Sequence, residues 1–447
     1  MQLYPPEAVL DIARRLQAEG HQAWAVGGAV RDALLGNPHS DWDLATSARP
    51  EEVRRIFRRT VPVGIEHGTV GVLARDGVLY EVTTFRRDVE TDGRHAVVAF
   101  ADTLEDDLAR RDFTINAIAW HPLTEELRDP YGGVQDLRDA VLRTVGDPAA
   151  RFAEDYLRVV RALRFAGHYV LTVDPPTWVA LTAATPELAT LSAERVREEL
   201  LKVLGKTQHA SATLRLYAAA GALRVLYPEL HAIVGFRVAD SQGNGGDVWT
   251  ETLTAVDALP RTRPRLRLAA LLHATGMPAA RTRDLRGGWR VTGHEIAGAR
   301  NAEVVMQRLR ASNADTEYVT RLVRLQAELF PPDAGPALVR RWLAQVGADV
   351  VPDLFRLRIA LWRARPVAGG SSDLVERWRM VRRVLRARPP LSVGELAIDG
   401  SDLKQLGLRP GPEFGEILRA LLERVHDDPD LNDRERLLAI VRAELLP

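Results

Sequence analysis

Cysteine is absent from the chain. That excludes disulfides, thiolate zinc sites and cysteine nucleophiles together, and it fits a cytoplasmic protein. Also missing is any apolar run of about 18 residues, the length a membrane-spanning helix needs, so no membrane partner is expected. The first residues, MQLYPPEAVLDIARRL, have neither the basic start nor the apolar stretch of a secretory signal. Net charge is zero, with 60 basic residues against 60 acidic ones. A nucleic-acid partner therefore has to be argued from local clustering and not from the global balance. Arginine carries nearly all the positive charge, which by itself is no sign of phosphate binding. With 447 residues the chain is too long for one core, and about two to four domains are expected.

The pattern that is present divides in two. Pro6–Glu19 reads as an amphipathic helix with Val9, Ile12, Ala13 and Leu16 on one face. Strands are expected at Ala23–Val26, through Asp41–Asp43, and at Thr69–Ala74 and Leu79–Phe85 around the turn Asp76-Gly77. Helices are expected at Ala29–Leu35 and Pro50–Phe57, the second capped by Ser47 or a neighbour. Such a mixture with antiparallel hairpins makes an α+β domain ending near residue 145. From Arg151 onward the helical period dominates, with hardly a strand candidate. Gly205, Asp240–Asp247 and Pro366–Ser372 are the boundary candidates.

The first stretch that carries chemistry is Ala25–Thr46, AVGGAVRDALLGNPHSDWDLAT. Gly27 and Gly28 let the backbone approach a phosphate closely where a helix begins. An extended DWD places Asp41 and Asp43 on one face, and two like charges that close call for a divalent cation. Glu81, in the strand expected beside them, is a third carboxylate. It reads as a metal ligand or proton acceptor, or equally as an outward polar strand residue. Farther on, Arg110-Arg111-Asp112 leads into Phe113–Trp120, an apolar, helix-like run, and an arginine there suits bidentate contact with a triphosphate.

In Arg151–Phe165, RFAEDYLRVVRALRF, a continuous helix would set Asp155 and Arg158 at i, i+3, with Arg161 and Arg164 following at three-residue steps. A solvated helix laced with ion pairs gives the same pattern. A carboxylate beside a guanidinium also complements the pairing edge of cytosine or adenine, an amine donor next to a ring-nitrogen acceptor, and mismatches uracil and guanine.

VGGAVRD with DWDLAT, HGTV with YEVTTF, LEDDLARRDFTINAIA and RFAEDYLRVVRALRFA together resemble the bacterial class II tRNA nucleotidyltransferases: CCA-adding, CC-adding and A-adding enzymes and poly(A) polymerases. The likeness is dense over residues 22–205 and looser to the C-terminus, where Ile398–Leu403 and Leu408–Pro412 resemble the family's tail. It implies a nucleotidyltransferase head (1–145), a base-recognising neck (146–205), a helical body (206–310) and a tRNA-binding tail (311–447). It further implies Mg²⁺ on Asp41 and Asp43, and triphosphate contacts from Gly28, Arg31 and Arg111. Asp155 and Arg158 would be the base template, supported by Arg161 and Arg164. The implied partners are tRNA, at its 3′ end, acceptor stem and elbow, and CTP, with ATP as a further substrate if the enzyme adds the full CCA.

Two departures from the family pattern matter. Arg86–Phe100 is shorter than the family's loop for switching from C to A, and His95-Ala96 stands where Arg-Pro is usual. This favours a CC-adding enzyme working with a separate A-adding one, over a full CCA-adding or an A-adding enzyme. Gly64–Val70 lacks the arginine-rich motif of poly(A) polymerases. Leu268–Arg310 resembles an HD phosphohydrolase region, but Ala274 follows His273 and Thr250–Thr252 stands where an upstream histidine is frequent. His273 and His294 alone make a poor divalent site, so hydrolase chemistry is expected to be lost. A non-catalytic RNA-binding protein on this fold would be expected to lose Asp41 or Asp43, and both are present.

Arg356–Arg388 holds ten arginines against Asp373 and Glu376. Arg379, Arg382, Arg383 and Arg386 follow helical spacing, opposite Trp378, Val381, Val384 and Leu385; read from the residues this is equally a solvated basic face, and with the resemblance it suits sequence-independent contact with RNA phosphates.

Overall fold

The computed structural model describes residues 3–37, 41–64, 68–91, 96–239, 245–283, 289–365 and 370–445. Ile65-Glu66-His67, His95, residues 240–244 of Asp240–Asp247 and residues 366–369 of Pro366–Ser372 lie outside them. The chain forms two compact units, Met1–His231 and Ala232–Pro447.

The first unit opens with α1 (Glu7–Ala18), whose Val9, Ile12, Ala13 and Leu16 are buried as their spacing predicts. The sheet that follows has the order β3-β4-β5-β2-β1-β8-β9, with β1 Ala23–Val26, β2 Asp43–Thr46, β3 Thr60–Pro62, β4 Thr69–Leu73, β5 Leu79–Thr84, β8 Ala119–Trp120 and β9 Leu127–Arg128. β2 and β5 run parallel (Leu44 opposite Val82), and the other neighbours are antiparallel, so the sheet is mixed. α2 (Gly28–Leu34) and α3 (Pro50–Ile56) fall where expected, although Arg49 and not Ser47 caps α3. β6 (Arg86–Thr91) and β7 (Ala96–Phe100) form a separate antiparallel ribbon. Trp24, Val26, Phe85 and Leu108 from α4 (Leu104–Ala109) close the core over this sheet.

Two expectations need correcting. The apolar run Phe113–Trp120 is not a helix: one 3-10 turn, Thr114–Asn116, precedes β8. Its polar side chains bond elsewhere, Thr114 Oγ1 to Asp136 (2.6 Å) and Asn116 Nδ2 to Asp112 (2.8 Å). Short polar side chains bonded in this way compete with helix formation. Likewise Arg151–Phe165 is two helices, α6 (Pro148–Glu154) and α7 (Leu157–Tyr169), separated by an extended Asp155 (φ −158°, ψ 106°). Asp155 Oδ1 accepts the Leu157 N–H at 3.0 Å, so it starts the second helix and does not continue the first.

α5 (Gly133–Arg138) and β10 (Val141–Leu142) complete the head, and β10 pairs in parallel with β11 (Thr172–Val173) beyond α7. α8 (Pro175–Ala184), α9 (Ala193–Lys206), α10 (Ala210–Ala219), α11 (Ala222–Leu226) and α12 (Pro228–His231) follow. A Cβ on Gly167 would come within 2.5 Å of the Thr213 backbone, so only glycine allows α7 and α10 to pack this closely.

Among the described residues, the second unit is helical apart from two short ribbons, Arg237–Ala239 with Gly245–Asp247 and Arg281–Arg283 with Trp289–Val291, which the helical period hid. Its C-terminal part has its own core around Leu403, Leu421, Val425 and Leu437.

Candidate active site

Register places the carboxylates. Val26 stands opposite Asp43, so the turn at Gly27 leaves β1 beside the start of β2. Asp41 lies just ahead of that strand. Trp42, between the two carboxylates, is buried and packs 6.1 Å from Trp120, while Asp41 and Asp43 turn into a common cavity of about 650 Å³. Burial pushes the Asp43 carboxyl up to about 7, with Glu81 and Asp41 adding repulsion against the pull of Arg111. A carboxylate pair strained this way is one that a cation relieves. Among the described residues no group of three or more His, Asp or Glu is arranged to hold a metal alone. Mg²⁺ does not require one, since it is commonly held by one or two carboxylates plus substrate phosphates. Glu81 is exposed on β5 and not among the residues lining the cavity, although its charge is felt at Asp43.

Gly27, with φ +71°, is the glycine the geometry requires, because a Cβ there would come within 2.9 Å of Arg111 Nη1. Gly28 would meet Arg31 only at an ordinary 3.5 Å. Arg111 donates to Asp107 (2.9 Å) and to the Asn116 carbonyl (3.3 Å), which holds its guanidinium against the glycine turn. Arg31, nearly buried, donates to Asp32 (2.9 Å), Asn116 Oδ1 (2.5 Å) and the Tyr169 hydroxyl (2.6 Å), and lies 4.5 Å over the Tyr169 ring.

The α6–α7 segment contributes Asp155, Arg158, Arg161 and Arg164 to the same cavity. Arg158 donates to Glu154 and to the carbonyls of Arg151 (3.0 Å) and Arg110 (3.2 Å). Asp155 accepts from Arg195 of α9 at 2.6 Å. Arg161 is held by Asp112 at 2.8 Å and Arg164 by Glu199 of α9 at 2.6 Å. Burial alone would push Asp112 up, but the Arg161 charge and bonds from Asn116 and Arg161 hold it down at about 2. Burial acts on Glu199 in the same sense, and Arg164 and Arg161 outweigh it. A chain of contacts therefore runs from α9 through Arg161, Asp112 and Asn116 to Arg31 beside the glycine turn.

Every candidate of the head and neck except Glu81 lines this one cavity. Sequence reasoning missed Asn116, Arg195, Glu199, Lys202 and Lys206. The α9 residues were discernible as a polar stripe at i, i+4, i+7 and i+11, whereas Asn116 was hidden in an apolar run.

In the second unit, α13 (Val248–Asp257), α14 (Pro264–Leu272), α15 (His294–Arg308), α16 (Asn313–Leu325), α17 (Pro336–Val346), α18 (Val351–Ala364) and α19 (Gly370–Arg386) follow in order. His273 and His294 line a separate cavity of about 360 Å³. His273 Nδ1 donates to the Ala270 carbonyl (2.7 Å), and burial lowers the imidazole to about 4. Arg379, Arg382, Arg383 and Arg386 are exposed along one face of α19 while Val381 and Val384 are buried.

Two family models match the chain: "Poly A polymerase head domain" over residues 23–143 and "Probable RNA and SrmB- binding site of polymerase A" over residues 171–234. A CCA-adding enzyme of Anoxybacillus flavithermus is 33% identical over 96% of this chain and 94% of its own. One of Geobacillus stearothermophilus is 32% identical over 97% and 96%. The solved Bacillus stearothermophilus CCA-adding enzyme in complex with CTP superposes with a TM-score of 0.74 at 31% identity, covering 98% of this chain and 96% of that one. With a mixed-sheet head, a carboxylate pair beside a glycine turn and full-length relatives of one kind, the chain belongs to the CCA-adding enzymes, the tRNA nucleotidyltransferases.

Proposed function

We propose that this chain extends the 3′ end of tRNA from CTP and ATP without a nucleic-acid template, releasing pyrophosphate. The observation that carries this reading is the single cavity shared by Asp41, Asp43 and the glycine turn on one side and Asp155 and Arg158 on the other. Asp41 and Asp43 would hold Mg²⁺, which when bound supplies charge stabilisation to the reacting oxygens. Gly28, Arg31 and Arg111, the last held against the Gly27 turn, bind the triphosphate. Glu81 adds negative charge beside Asp43. Asp155 accepts from the exocyclic amine of the base while Arg158 donates to its ring nitrogen, a pattern offered by cytosine and adenine and by neither uracil nor guanine. The tRNA 3′-hydroxyl then attacks the α-phosphate in line with the departing pyrophosphate.

The division into head (1–145), neck (146–205), body (206–310) and tail (311–447) belongs to the same reading. In it the exposed arginines of α19 contact tRNA phosphates, and the body has lost hydrolase chemistry. A cytoplasmic location suits the substrate, and no described helix is long and apolar enough to cross a membrane.

For the end point, the short Arg86–Phe100 segment with His95-Ala96 favours stopping after two C additions and leaving the terminal A to a separate enzyme. The test is tRNA lacking its last three nucleotides, incubated with Mg²⁺ and CTP or ATP, separately and together. A product that stops at CC supports this end point. Completion to CCA replaces it with full CCA addition. A added only to a CC end indicates the A-adding activity, and long A tracts contradict the tRNA reading.

A further inference from the structure

Of the 60 basic residues only three are lysine: Lys202, Lys206 and Lys404. Two of the three line the catalytic cavity. They stand on α9 with Arg195 and Glu199 at spacings of four, three and four, which is one face of a helix. Glu199, 1% exposed, anchors this face: its Oε1 lies 2.9 Å from Lys202 Nζ and its Oε2 2.6 Å from Arg164 Nε. Arg195 is engaged with Asp155. Lys206 is exposed in the last turn, where the helix dipole favours a cation.

In the reading above, the nucleotide brings no anionic group to this stripe. Its triphosphate lies with Arg111, the glycine turn and the carboxylate pair, and its base is neutral. A reaction that joins a nucleotide to a nucleic acid brings a second polyanion to the same cavity, the acceptor strand. Resting on that reading, we propose that Lys202 and Lys206 form a subsite for the backbone phosphates next to the 3′ end of the acceptor RNA. The residue type supports the assignment. An arginine fork fixes a phosphate in one planar geometry, whereas an ammonium on a flexible stem holds it at many angles. A strand that advances by one nucleotide at each addition presents its phosphates at changing angles, and this stripe is one of the few places where the chain departs from arginine.

The test is binding of tRNA lacking its last three nucleotides to the full-length protein, followed by fluorescence anisotropy through a salt titration. With Lys202→Gln and Lys206→Gln combined, the slope of log Kd against log salt becomes shallower by about 1.4, two single-strand phosphates at about 0.7 each. KM for CTP changes by a smaller factor than Kd for the tRNA does. Lys206→Gln alone, which leaves the Glu199 ion pair intact, lowers the slope by about 0.7, and Lys206→Arg restores the slope, which counts charge and not geometry. An unchanged slope in the Lys206→Gln protein, or a defect confined to KM for CTP, overturns the proposal. If the unsubstituted protein adds no nucleotide to any tRNA, the nucleotidyltransferase reading fails first and takes the subsite with it.

Discussion

Arg195 Nη2 lies 2.6 Å from Asp155 Oδ2, so the carboxylate proposed to read the base is held by a helix forty residues farther along the chain. Arg195→Ala is expected to leave Asp155 held through the Leu157 N–H but no longer fixed at Oδ2. The ratio of kcat/KM for CTP to that for UTP should fall by about tenfold, the scale of one base-reading hydrogen-bond pair. Steady-state kinetics with each nucleotide checks this; unaltered selectivity would make the ion pair a packing feature only.

Glu199 gives a prediction about stability. Its carboxylate is 1% exposed and compensates Arg164, Lys202 and, at 3.9 Å, Arg161. Glu199→Gln takes the carboxylate from Arg164 and Lys202, while Arg161 keeps Asp112; because these cations are partly exposed, the cost should be about 1–2 kcal/mol, below the scale for a fully buried pair. Urea denaturation followed by circular dichroism measures it.

Asp43 makes stability depend on pH in a defined direction. Its carboxyl is raised from 3.8 to about 7 in the folded chain, so between these values the folded state binds more protons than the unfolded one. Its contribution is full below the unfolded value and is lost as pH rises through 7. In metal-free buffer, Asp43→Asn should raise the melting temperature at pH 8 and have little effect near pH 4. Added Mg²⁺ should narrow the difference at pH 8 by stabilising only the unsubstituted protein.

The head was largely legible in the sequence because its signals are local. Strand alternation and glycine turns placed β1, β4 and β5 within a residue, whereas β2 runs Asp43–Thr46 and shares only Asp43 with the DWD triplet. The break at Asp155 was not, since the apolar period runs straight through it and only the capping of Leu157 by Asp155 interrupts the helix. Nor were the partners of the neck arginines, because Asp112 and Glu199 lie 49 and 35 residues from the side chains they hold. Sequence spacing identifies which residues share a helix face; it does not identify which helix lies opposite.

The α19 arginines make a separate prediction. Replacing Arg379, Arg382, Arg383 and Arg386 with alanine should weaken tRNA binding and flatten its salt dependence, with the same loss for tRNAs of different sequence. All four are exposed, so folding should be little affected. Unchanged affinity across the titration removes α19 from the RNA path.

The most direct measurement of the central claim is a competition among equimolar CTP, ATP, UTP and GTP for addition to tRNA lacking its last three nucleotides. It is run with the unsubstituted protein, Asp155→Ala and Asp41→Ala. The unsubstituted protein should add C and exclude U and G. Asp155→Ala should still add nucleotides but lose that exclusion, and Asp41→Ala should add none. Selectivity that survives in Asp155→Ala, or incorporation that survives in Asp41→Ala, would contradict the assignment of base choice to the neck and of chemistry to the head.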